Sequence, residues 1–375
     1  MNKVELIKKS GLFDENYYLE TYPDVKDYLE KHHGVPSDTI AHYLKFGAKE
    51  LRNPSKKFNT HYYLETYPDV ERSGLNPLLH YILHGHKEGR RPCKPNYFLT
   101  MAACIKDEAL YLDEWISYYI YQGVEHFYLN NDGSSDHTEQ VLAPYMENGY
   151  VTLYNNLRQE GVLQQEFYNK IIEEKKYEAL WCCFFDVDEF FQGETLLTDL
   201  LVSLDKDVSG LELSWKIYGD SFLETYDNRF VVERFVHHLE HRLGAKWYVK
   251  SICKLIDTKT SLSTLIHAFD YARGKVVNGQ LEDISQFPVN TRIVGMPVNW
   301  DNFWINHYQF KSKEEYWNKI EKGDAVQKEY TKKKNYFNPL ENNKIFDDSM
   351  HKYIPFIAQT MFEITGKIYN PDIKP

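Results

Sequence analysis

Among 375 residues there are only five cysteines, Cys93, Cys104, Cys182, Cys183 and Cys253, and no two of them form a C-x-x-C pair. An odd, unpatterned set supports neither a disulfide framework nor a zinc site, and it suits a reducing compartment. Positive charge is also scarce. With 44 Lys and Arg against 55 Asp and Glu, the formal net charge is -11, which argues against a nucleic-acid partner, because phosphate backbones are held chiefly by clustered cations. No apolar run approaches the length that spans a bilayer, and the opening MNKVELIKKS lacks the apolar centre of a signal peptide. The expectation is a cytoplasmic protein, with peripheral attachment at the inner face of a membrane left open.

Aromatic residues, by contrast, are abundant, with 30 tyrosines among them. They add apolar area and hydroxyl groups to cores and pockets alike. The length allows an accessory domain beside a larger one.

The first hundred residues repeat. FDENYYLETYPDV from Phe13 returns as FNTHYYLETYPDV from Phe58, and AHYLKFGAKELRNP from Ala41 parallels LHYILHGHKEGRRP from Leu79. Copies at about 13–54 and 58–92, with helix-like apolar spacing, predict small helical units that bury a face against each other. Tyr17, Tyr18, Tyr22 and their counterparts Tyr62, Tyr63, Tyr67 are read first as packing residues, the alternative being a docking face for glycan or a partner. The repeat carries no acid, base or metal cluster. Residues 1–95 therefore form a non-catalytic region, closed by the linker Arg90-Arg91-Pro92-Cys93-Lys94-Pro95.

From Tyr97 the pattern changes to that of an α/β domain, expected over 96–325. YFLTMAACI, HFYLNN, YVTLYNN and WCCFF are strand-length apolar runs. Between them lie a helix with Leu112, Trp115, Ile116 and Tyr119 on one face, a second opened by an Asp136/Glu139 capping box, and a third from Gln165 to Lys175. Alternating strands and helices imply a mostly parallel sheet covered on both faces. Residues 326–375 are expected to close the chain as a helical extension.

In such a sheet, ligands sit at the carboxyl ends of strands. Three polar clusters fall there: Lys106-Asp107-Glu108, Asn131 to Asp136, and Asp186-Val187-Asp188-Glu189. Asp186 and Asp188 offer oxygens that suit Mg or Mn, a cation able to bridge a diphosphate and stabilise its departure. An isolated D-x-D means little, as Asp205-Lys206-Asp207 in a polar stretch illustrates. The first pair differs because it ends a buried strand. Asp132, after a sharp Gly turn, is placed to accept a nucleobase ring N–H, although a turn followed by a helix cap accounts for the same residues.

Together, KDEALYLDEWISYYIYQGVEHFYLNNDGSSDHT and QEFYNKIIEEKKYEALWCCFFDVDEFF resemble glycosyltransferase family 92 and related family-2-like bacterial transferases. The resemblance continues more weakly through LSWKIYGDS, KSICKLI, LIHAFDYA and INHYQFKSKEEYWNKIEKG, to about Gly323. It implies a GT-A fold, Rossmann-like, a UDP-sugar donor and a divalent cation held by Asp186 and Asp188. His307 stands where a late histidine completes the metal shell, with His267 as its substitute. Lys106, Glu108, Asp132, Gln165, Asp186 and Lys250 make up the expected donor-binding set, with Lys311 also near phosphate; Asp107 departs from the usual Asn.

The resemblance also implies inversion, which needs a base for the acceptor hydroxyl. Asp220 is the first candidate, with Glu189, Glu233 and Glu240 as alternatives. Trp215, Tyr218, Trp247 and Trp304 are candidates for stacking on sugar rings, core packing being the competing role. The repeats are similar to those attached to bacterial polysaccharide-synthesis transferases, which implies a glycan or lipid-linked saccharide acceptor. The rival reading is a degenerate GT-A domain that only binds glycan or scaffolds a synthesis complex.

Overall fold

A computed structural model describes residues 2–31, 38–155, 164–240, 248–260, 266–294, 300–322 and 338–372. Trp247 and the lysine-rich stretch 323–337 lie outside them. The chain divides into two compact units, Met1–Asn96 and Tyr97–Pro375. No helix among the described residues is long and apolar enough to cross a membrane.

In the first unit the two sequence copies make the same contacts. Asp14 caps the helix Glu15–Thr21 by accepting from Tyr17 N, and Asn59 caps Thr60–Thr66 by accepting from Tyr62 N. Tyr18 and Tyr63 are fully buried, and their hydroxyls meet His42 Nδ1 at 3.2 Å and His80 Nδ1 at 3.0 Å. Arg52 grips Asp24 with two nitrogens, as Arg90 grips Asp69. Tyr17, Tyr22, Tyr62 and Tyr67 are half-buried.

Each copy also contains one π-helical turn, Tyr43–Gly47 and Tyr81–Gly85. A Cβ on Gly47 would lie 2.1 Å from the Tyr18 hydroxyl, and one on Gly85 2.0 Å from that of Tyr63. Gly85→Ala is therefore expected to push Tyr63 off His80 and cost about 1–3 kcal/mol, the range for overpacking a filled core. Thermal melting with hydrogen exchange of residues 59–92 checks this; unchanged protection would refute it.

The second unit is built on β1 (Tyr97–Ile105), β2 (His126–Asn131), β3 (Val151–Asn155), β4 (Ala179–Phe184), β5 (Glu189–Gly193), β6 (Val208–Ile217), β7 (His237–His238), β8 (Val249–Lys254), β9 (Lys275–Asn278), β10 (Phe303–His307) and β11 (Ile345–Phe346). The main sheet runs β3-β2-β1-β4-β8-β6-β10-β5, with β9 beside β6, while β7 and β11 pair separately. The β3-β2-β1-β4 part is parallel throughout, as its crossover helices require.

Leu112, Trp115, Ile116 and Tyr119 are all fully buried on the helix Ala109–Tyr121, which packs on the sheet. The helix Ile354–Thr365 packs against that helix in turn, so residues 338–372 belong to the same unit as the sheet. Next to β2, the expected capping box does not form. Asp136 Oδ1 accepts from Thr138 N and Oγ1, and Glu139 instead accepts from Asn131 Nδ2 at 3.4 Å.

Candidate functional site

Strand direction brings the polar clusters to one edge of the sheet. β1, β2, β4, β6 and β10 run one way, and β5 and β8 run the other. The carboxyl ends of the first group thus lie beside the amino ends of the second, where β5 begins with Glu189 and β8 carries Lys250. A cavity of about 1480 Å³ opens at this edge, lined by Lys106, Asp107, Glu108, Asp132, Gln164, Asp186, Asp188, His307 and others.

After β4 the chain turns through 185–188 before entering β5. Asp188, Glu189 and His307 each point one ligand-type atom to a common region, all within 4.8 Å of one another. Glu189 and His307 are direct cross-strand partners in the antiparallel β5–β10 pair. His307 Nε2 lies 3.5 Å from Asp188 Oδ1, and Lys319 Nζ donates to Asp188 Oδ2 at 2.6 Å. Asp186, half-buried, receives Lys250 Nζ and Gln164 Nε2, both at 2.8 Å. The structure therefore groups Glu189, rather than Asp186, with Asp188 and His307.

The electrostatics separate these carboxyls. Burial raises all three, but for Asp188 the charge of Lys319 and the hydrogen-bonding contact with His307 outweigh it and hold the group well below the usual carboxylate range. At Asp186, burial is offset mainly by Lys250, and the net direction is down. Glu189 is pushed well above its ordinary value by burial, which Lys250 at 3.4 Å only partly offsets. Lys250 itself, fully buried, is held protonated by Asp186 and Glu189 against the cost of its burial. Burial lowers His307, which keeps the imidazole neutral and fit to coordinate; burial and Lys250 push His267 down to about 3.

Glu189 Oε1 and His307 Nδ1 are buried without a hydrogen-bond partner among the described residues. Buried polar atoms rarely stay unpaired, and a missing ion is one of the usual reasons. Two carboxylates and an imidazole are donors that Mg or Mn accepts, so the residues present fit such a cation.

The loops around the cavity brace each other. Asp107, with a φ of 52°, accepts from Ser135 N at 2.6 Å and Asp136 N at 3.2 Å, while its own N–H donates to Ser134 Oγ at 2.9 Å. Asp136 Oδ2 returns the link by accepting from Ala109 N. An aspartate at this position thus ties the loop after β1 to the loop after β2.

Lys106, Glu108, Asp132, Asp186, Asp188, His267, His307, Trp215 and Lys311 all line the cavity, and Lys250 lies against it through Asp186. Other expected residues lie elsewhere. Gln165 is buried and outside the lining; its neighbour Gln164 takes the cavity position, held by Tyr168 OH at 2.6 Å. Asp220 is buried, bonded to Asn343 Nδ2 and Phe222 N, and Glu233 receives the Tyr369 hydroxyl; neither they nor the exposed Glu240 line the cavity. Tyr218 is buried with its hydroxyl on Asp347, and Trp304 donates to Asn306. Reading the sequence missed Lys319, Tyr248 and Glu314, which do line the cavity.

Residues 101–361 match the profile of glycosyltransferase family 92. The chain belongs to this family. Its α/β architecture agrees with the GT-A fold expected for family 92. Among curated relatives, a galactan beta-1,4-galactosyltransferase of Arabidopsis thaliana is 31% identical over 103 residues, 25% of this chain and 20% of that protein. A family 92 protein of Oryza sativa subsp. japonica is 26% identical over 208 residues, 54% of this chain and 33% of the relative. The family 92 chain thus spans from a fifth to a third of the length of these relatives.

Similar solved structures include S. aureus TarS in complex with UDP, at 14% identity and TM-score 0.29 over 42% of this chain and 47% of that one. GalNAc-T7 with UDP, GalNAc and Mn2+ matches at 11% identity and TM-score 0.30 over 75% and 59%.

Proposed function

We propose that this chain moves a hexose, galactose in the first instance, from a UDP-sugar to a hydroxyl of a glycan or lipid-linked saccharide, with inversion and with Mn or Mg, in bacterial surface-polysaccharide synthesis. The observation that carries this reading is the meeting of Asp188, Glu189 and His307, two of them with unpaired buried atoms, beside a large cavity. Family membership supports glycosyl transfer. Galactose is supported by the name of the Arabidopsis relative alone, and the polysaccharide role by the N-terminal repeats.

Asp188, Glu189 and His307 would hold the cation, which when bound supplies positive charge to the departing diphosphate. Lys250 keeps Asp186 charged and fixed at the cavity. Lys106, Glu108 and Asp132 would contact the nucleotide, while Trp215 and Tyr248, with ring centroids 5.3 Å apart, offer apolar faces to a sugar. The proton of the acceptor hydroxyl needs a base within hydrogen-bond reach. Because Asp220 and Glu233 are bonded away from the cavity, we assign this role to a lining carboxylate, Glu314 first, to be tested by Glu314→Gln.

Incubation with a panel of nucleotide sugars, with and without Mn2+, is expected to give Mn2+-dependent UDP release that is fastest with one UDP-hexose. If UDP neither binds nor is released under any condition, the chain is a scaffold and the reading falls.

A further inference from the structure

We propose that Lys319 is a built-in counter-cation for Asp188, which yields its place to the divalent ion and then binds the diphosphate, so that one side chain couples metal and nucleotide binding. This inference rests on the transferase reading above.

Asp188 is 6% exposed and lies against His307 and Lys319. A carboxylate so buried needs a compensating charge, and a cation within hydrogen-bond reach supplies it best. The ammonium of Lys319, at 2.6 Å, is that cation. Lys250 and Lys319 each pair with an aspartate of the Asp186–Asp188 turn, and they differ in exposure. Lys250 is fully enclosed between Asp186 and Glu189, whereas the Lys319 side chain is 43% exposed, projecting from the helix Lys313–Lys322 into the cavity. Its flexible four-carbon stem lets the ammonium take a second position at the cavity wall.

A divalent ion on Asp188 would compete for the carboxylate whose Oδ2 Lys319 now engages, and two cations on one carboxylate repel each other. The displaced ammonium stays at the cavity wall, where Lys311 also lies. The anion that arrives with the cation, the diphosphate, is then its natural partner through a charge-assisted hydrogen bond. Free protein and complex each keep their charges paired.

The test uses the full chain and its Lys319→Met variant, with Mn2+ titrated alone and UDP titrated at saturating Mn2+, both by calorimetry. Removing the competitor is expected to tighten Mn2+ alone by about fivefold, the scale of a partly exposed ion pair. It is also expected to weaken UDP by about tenfold or more, with Lys319→Arg restoring most of the UDP affinity. A merely structural ion pair would loosen Mn2+ binding or leave it unchanged. Both shifts are required, and the absence of either overturns the proposal. Wild-type protein that binds neither Mn2+ nor UDP removes the transferase reading as well; wild-type protein that binds both, with Lys319→Met indistinguishable from it, removes this inference alone.

Discussion

Asp188→Ala is expected to lower Mn2+-dependent UDP release by about a thousandfold or more, the loss seen when a preorganised electrostatic group is removed, while the protein remains folded. The asymmetry follows from what surrounds the residue. Its Lys319 partner is 43% exposed and returns to solvent when Asp188 is gone, so the stability change should stay near about 1 kcal/mol. Asp186→Ala is a useful contrast, because it takes a charge from the enclosed Lys250 and should cost stability as well as activity. Rates, Mn2+ titrations and melting curves of the two variants check this. Full metal-dependent turnover by Asp188→Ala would remove the site assignment.

Lys250→Met has the largest expected effect on the fold. The ammonium is fully buried, 2.8 Å from Asp186 and 3.4 Å from Glu189. Without it two acidic groups face each other and lose the cation that both are paired with, and breaking a buried pair in this way costs about 3–5 kcal/mol. The pH dependence has a definite sign. Glu189 already has its folded value raised above the ordinary one, and losing Lys250 raises it further and lifts Asp186 too. A carboxyl raised in the folded state binds its proton more tightly there than in the unfolded chain, so its contribution to stability is greatest in acid and is lost as pH rises through that window. The deficit of Lys250→Met should accordingly be smaller near about pH 5 than near about pH 8. Urea unfolding at the two values measures it, and an equal or larger deficit in acid would contradict the ion arrangement described above.

What could be read from the sequence was what is local. The runs YFLTMAACI and HFYLNN became β1 and β2 with the same ends, and the face Leu112, Trp115, Ile116, Tyr119 was found buried, because apolar period reflects one element at a time. The acidic cluster after β4 was legible for the same reason, since a buried run ending in three acids is itself a local signal. Pairings between distant segments left no such trace. Lys319 meets Asp188 across 131 positions, and Asn343 takes up Asp220 across 123. Asp220 follows a strand-like block, and only the tertiary structure shows its carboxylate bonded to Asn343 and Phe222. That Glu189 stands opposite His307 was not legible either, because the sequence does not reveal that β5 turns back antiparallel beside β10.

That same pairing has a consequence for how the protein matures. Since Glu189 and His307 are opposite one another on neighbouring strands, a slip of one residue would turn the imidazole to the far side of the sheet. If the cation binds as proposed, affinity for it becomes an assay of correct register, acquired only after segments more than a hundred positions apart have aligned. By mass action the ion should favour that alignment over its slipped competitors, so refolding yield should rise when Mn2+ is present.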